Sequence, residues 1–138
     1  MQALGFVNPE GAPPPVGQYT NVSIVGAGAA TAYVAGQLAV DETGALVAPG
    51  DFDAQADAVF AGLATLLESL GSSLKEVAFV RAFLVRDEDF VGWRDARRRA
   101  FAEHGVLEPP PATTVVVSGL YGGALIELDA VAVLASGS

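Results

Sequence analysis

The stretch VSIVGAGAAT, residues 22–31, decides how this chain folds. An apolar run ending in Gly-Ala-Gly has the outline of the strand and phosphate loop of a dinucleotide-binding unit. In that unit a third glycine lets the helix pack close to the strand, and the helix N-terminus faces the pyrophosphate. Here the third place is Thr31. The unit also needs a long helix after the loop and an acidic residue about 20 positions further on. The chain continues instead as TAYVAGQLAV, where Tyr33, Val34, Gly36 and Val40 favour strand over helix, and it turns at DETG, residues 41–44. Its first acid comes too soon. The glycines of GAGAA therefore read as a hairpin connection between two strands.

Upstream, NPEGAPPPVGQY is rich in proline and glycine and predicts an irregular lead-in through residue 16, delivering the chain to a strand over residues 18–25. Downstream, Phe52, Ala56, Val59, Phe60, Leu63, Leu66, Leu67 and Leu70 recur at helical spacing, with Asp51 placed to cap the start and Gly71 to close the end. A strand follows in EVAFVRAFLV, residues 76–85. DEDFVGWRDARRRAFAEHG then predicts a second helix with Phe90, Trp93, Ala100 and Phe101 on one side. At 100° per residue, Arg97 and His104 fall inside that apolar sector, Arg94 lies near its edge, and Arg98 and Arg99 point away. TTVVVSGL and ALIELDAVAVLA predict closing strands around a tight turn in YGG. In the last strand Ile126, Leu128, Ala130, Ala132 and Leu134 share one face; Leu125, Glu127, Asp129, Val131 and Val133 share the other. Strand pairs interleaved with two helices give an α+β fold: a single mixed sheet of about six strands, both helices on one face, in one domain spanning residues 1–138.

Composition bounds the function. Of the 138 residues 51% are apolar and only 17% charged, against roughly 25% charged in typical domains. Less charge is then available to cover a monomer, which points to subunit contacts. The apolar runs are broken well before the ~20 residues of a membrane span, and no basic-then-apolar leader precedes them, so the expectation is a soluble cytoplasmic protein with no membrane partner. Cysteine is absent, which removes thiolate catalysis and thiolate metal sites. His104 is the single histidine; with no second ligand at metal-binding spacing, no metal is expected, and it suits the C-terminus of the second helix, where positive charge is favoured. A net charge of -9 opposes binding to nucleic acid, whose affinity comes mainly from Lys and Arg displacing counterions.

Taken in order, GQYTNV, YVAGQLAVDETGALV, the segment from FDAQADAVF to VRAFL, PPATTVVVSGL and ALIELDAVA resemble the Rid, or YjgF-like, family: small reactive-intermediate deaminases that hydrolyse enamines and imines. The resemblance covers nearly the whole chain. It implies a homotrimer with small-molecule clefts at the subunit boundaries and no cofactor. Within the family a glutamate on the last strand handles water and protons, and Glu127 matches it; Tyr19 matches a tyrosine that lines the cleft. The family's deaminases hold the substrate carboxylate with an arginine after Pro-Ala, where this chain has Thr113. A guanidinium offers two charge-assisted hydrogen bonds and a threonine hydroxyl one neutral donor, a difference on the order of several kcal/mol for an anionic ligand. Ala35 stands where many members have serine, and Arg94 where many have asparagine.

The residues admit two roles for Arg94: returning a cation to the pocket, or pairing with a surface acid. Glu127 sits among Ile126, Leu128 and Ala130, where partial burial makes a carboxyl a usable proton donor near neutral pH. Asp129 lies roughly 7 Å along the same face and reads as structural. The expected function is a trimeric Rid-like enzyme acting on a small enamine, imine or unsaturated carbonyl compound, with Glu127 handling protons and Tyr19, Ala35, Arg94 and Thr113 shaping the pocket. A trimeric small-ligand-binding protein without deaminase chemistry is the alternative. An RNA-cleaving role, attached to some relatives, is opposed by the acidic balance.

Overall fold

Residues 3–134 are described in a computed structural model. The elements follow as β1 (Leu4–Val7), β2 (Val22–Val25), β3 (Thr31–Gln37), α1 (Phe52–Ser69), β4 (Val77–Leu84), α2 (Phe90–Glu103), β5 (Ala112–Val116) and β6 (Ile126–Val133). The α+β class and the two helices packed on a mixed sheet match the sequence reading. The six strands are divided between two sheets. β3-β6-β4-β5 form a four-stranded sheet in which only β4 and β5 run parallel, while β1 pairs antiparallel with β2.

Two local expectations are corrected here. The lead-in is not irregular through residue 16, because Leu4–Val7 pairs in register with Val22–Val25. And GAGAA does not close a hairpin: β2 is taken by β1, and β3 pairs with β6. The turn itself is real, with Gly28 at φ +81 and the Ala29 N–H donating to the Gly26 carbonyl at 3.2 Å. It carries the chain from one sheet to the other. The sheets meet at a bulge in β4 between Val77 and Phe79, where the Ser23 hydroxyl donates to the Ala78 carbonyl at 2.6 Å. A side chain there satisfies a carbonyl left out of the ladder.

Helix α1 starts where the Asp51 carboxylate accepts the Ala54 N–H at 3.1 Å, and the chain leaves it through Gly71 at φ +75. Its buried face, including Ala56, Val59, Phe60, Leu63 and Leu67, belongs to the same core as Val80, Ala82 and Leu84 of β4 and Ile126, Leu128 and Ala130 of β6. Helix α2 adds Trp93, Ala96, Ala100 and Phe101, and Phe60 stacks on Trp93 with ring centres 5.5 Å apart. Leu70, at the end of the periodic series, is instead 49% exposed.

A buried polar residue interrupts the apolar face of α1. Gln55 is fully buried on α1; its Nε2 donates to the Ala48 carbonyl at 3.1 Å and its Oε1 accepts the Leu125 N–H at 2.9 Å. It ties the approach to α1, where Ala48 holds φ +48, to the entry of β6. Gln55→Leu preserves volume but strands the Leu125 N–H in the core, so urea unfolding should show a loss of about 1–3 kcal/mol. Unchanged stability would mean that water replaces the amide.

Candidate functional site

Alternation along β6 sorts its side chains. Ile126, Leu128, Ala130 and Ala132 are buried toward the helices, and Glu127, Asp129 and Val131 lie half-buried on the opposite face. Register extends this across the sheet. Thr113, Arg81 and Asp129 are paired neighbours on β5, β4 and β6, as are Val115, Phe83 and Glu127 in the next row. Tyr33 of β3 is paired with Val131. Side chains paired across strands share a face, so Tyr33, Ala35, Thr113, Glu127 and Asp129 all look out from the helix-free side. That side is open and apolar: Tyr33 is 82% exposed and Val115 40%.

The two acids on this face differ. Asp129 accepts two hydrogen bonds from Arg81, from Nε at 2.9 Å and from Nη2 at 2.6 Å. That bond, with the charge behind it, holds the Arg81 guanidinium above the ordinary arginine pKa, and the reading of Asp129 as structural fits. The guanidinium beside Thr113 is thereby already engaged by a carboxylate. Glu127 enters none of the ion pairs among the described residues. Its side chain lies across Gly36 of β3: a Cβ built there would fall on the carboxyl oxygen Oε2 and 2.7 Å from Cδ. That glycine lies within the bulge of β3 between Val34 and Gln37, where the strict alternation of faces is interrupted.

A second group forms elsewhere. Between the end of the lead-in and α2 lies a cleft of about 430 Å³ whose walls include Tyr19, Phe90, Trp93, Arg94, Arg97 and Thr114. The Tyr19 hydroxyl accepts the Val16 N–H at 3.2 Å. Thr114 faces this side, accepting a hydrogen bond from the Trp93 indole at 2.9 Å, and Thr113 faces the other. Arg94 is exposed at the cleft, with the Asp95 carboxylate 3.8 Å from its Nε. Arg97 is buried more deeply than its place in the apolar sector implied. His104 is the C-terminal cap of α2. Within one protomer, then, Tyr19 and Arg94 share the cleft, while Ala35, Thr113 and Glu127 share the open sheet face. The two sets are not brought together. Sequence reasoning missed the Glu127–Gly36 contact, whose only trace was a glycine inside a strand pattern.

Among the described residues no cluster of His, Asp or Glu is arranged to hold a metal ion, and no helix is long and apolar enough to cross a membrane. The model of the family described as Endoribonuclease L-PSP matches residues 9–134. The chain belongs to the Rid (YjgF-like) family. Relatives of this Rid protein include the 3-aminoacrylate deaminase RutC of Acinetobacter baylyi, 36% identical over 129 residues, 92% of this chain and 95% of that one. A RutC family protein of Pyrococcus abyssi is 35% identical over 124 residues, 89% and 91% of the two chains. Among solved structures, a Rid protein of unknown function from Yersinia pestis superposes with a TM-score of 0.84 at 26% identity, covering 96% of this chain and all of that one.

Proposed function

We propose that this Rid protein is a hydrolytic deaminase of small enamines or imines, working at clefts completed between copies of the chain. The observation that carries the reading is Glu127: a half-buried carboxyl with no ion-pair partner among the described residues, on an open apolar sheet face. The exposed face that carries Tyr33 and Val115 needs a cover, and a second copy would set its own Tyr19 and Arg94 against Glu127. The kinship with a 3-aminoacrylate deaminase supports the substrate class.

The chemistry asks little of the protein beyond proton transfer. Glu127, protonated, gives its proton to the enamine carbon, converting C=C–NH2 to an iminium. As a carboxylate it then takes a proton from the water whose oxygen bonds to the iminium carbon. The proton passes to nitrogen, the C–N bond breaks as ammonia leaves, and the hydroxyl proton returns to Glu127 as the carbonyl forms. Water is consumed and ammonia released with no net change in protons or oxidation state.

Ammonia release from freshly generated 3-aminoacrylate and 2-iminopropionate tests this. Thr113→Arg adds a guanidinium for the substrate carboxylate and should raise kcat/KM about tenfold or more. A silent native protein that gains turnover with Thr113→Arg points to a binding protein instead, since a hydroxyl stands where deaminases of the family carry the guanidinium. Sedimentation of the native chain as a monomer at micromolar concentration would remove the shared cleft.

A further inference from the structure

Arg81, Arg86, Arg94, Arg98 and Arg99 each have an aspartate carboxylate between 2.6 and 3.8 Å away. Arg97, the one buried arginine at 7% exposure, has none among the described residues, and its Nε has no hydrogen-bond partner. In a chain with 16 acids and 7 bases this is not a shortage of carboxylates. What supports the cation is the Trp93 ring, 5.3 Å from the guanidinium carbon to the ring centre. A cation–π contact offsets only part of the cost of removing a charge from water. Burial draws its pKa below the ordinary arginine value, with Tyr19 acting in the opposite direction.

The guanidinium lines the cleft between the lead-in and α2. Gly17 leaves its end approachable, since a Cβ at that position would stand 3.6 Å from Nη2. The other walls are mainly apolar, from Val16, Phe90, Val91 and Trp93. Arg94, at the same cleft, is shared with Asp95. One unshared charge beside apolar walls fits a ligand with one anionic group and an apolar body, and a dianion such as phosphate would lack donors here. We propose that this cleft is a binding site for a small organic monocarboxylate and that Arg97 is its anchor. Its walls come from one protomer and include the Tyr19 and Arg94 that the proposed function sets against Glu127 of a second copy, but carboxylate binding at Arg97 does not require Glu127 to perform chemistry.

Trp93 is the only tryptophan, so its fluorescence reports the cleft directly. Sodium propionate, exchanged for chloride at constant ionic strength, should give a saturable change with a midpoint on the order of millimolar for so small a ligand. Arg97→Met keeps the apolar stem and removes the charge. It should weaken propionate at least about tenfold without lowering the melting temperature, since an unpaired buried charge gives way to an apolar group. Gly17→Leu keeps the guanidinium but fills its approach, and should weaken propionate comparably even if Arg97→Met misfolds. A native protein that does not saturate, or variants that titrate like it, would overturn the assignment. So would a loss of oligomer mass in Arg97→Met with no change in propionate binding, because Arg97 would then be serving a carboxylate of a second copy.

Discussion

Glu127→Gln should lower ammonia release from 3-aminoacrylate by about 10²–10⁴-fold, the range that a positioned acid–base group supplies. Glutamine keeps shape and packing and cannot exchange a proton, so kcat should fall with little change in KM. A companion variant separates the chemistry of the carboxyl from its placement. Gly36→Ala leaves Glu127 intact but sets a methyl on its Oε2 and 2.7 Å from Cδ. The clash is with the far end of a flexible side chain, so the glutamate can swing aside at small cost in stability. Gly36→Ala should therefore melt within a few degrees of the native protein yet lose turnover nearly as Glu127→Gln does. Full activity in Glu127→Gln would take the proton-handling role away from this residue. Full activity in Gly36→Ala alone would mean that Glu127 works from another rotamer.

Why Glu127 was legible and Gly36 was not follows from where each signal resides. Alternation in IELDAVAV states which face a carboxyl takes, and the buried even-numbered residues of β6 follow it. The series on α1 likewise states a buried face, its cap and its exit, because all three depend on residues within a turn of one another. β1 carries no such signal: four residues beside a proline-rich stretch become a strand by pairing with β2 across a long loop. GAGAA suffers the same ambiguity. Its turn is local and readable, but which strand β3 joins is settled by β6, at the far end of the chain. Gln55 and Arg97 mark another limit. Periodicity identifies a position as inward, and only the assembled core shows whether a polar group there finds partners, as Gln55 does twice and Arg97 does not. The separation of Tyr19 and Arg94 from Ala35, Thr113 and Glu127 is invisible to any local pattern, since it depends on which side of the sheet each element lands.

Trp93→Ala should be the most destabilising single change, at about 3–5 kcal/mol, because three kinds of contact end together. The indole is 2% exposed and stacks parallel to Phe60, which in turn meets Phe101 edge-on at 6.0 Å, so one ring deletion opens the junction of α1 and α2. Its N–H also donates to Thr114, tying α2 to β5, and its face carries the Arg97 guanidinium. Removing the ring leaves that buried cation with no compensating contact among those described, a penalty that a purely apolar site would not incur. Circular dichroism should show the melting temperature falling by more than about 10 °C. Measurements belong at one protein concentration, since any association would add its own shift. Trp93→Phe keeps most of the stack and loses the hydrogen bond, and should recover more than half of the difference. The double variant Trp93→Ala/Arg97→Met tests the charge: if the stranded guanidinium is part of the cost, the second substitution should restore about 1 kcal/mol or more. Strict additivity would show that the indole serves the core alone and leaves the cation indifferent to it.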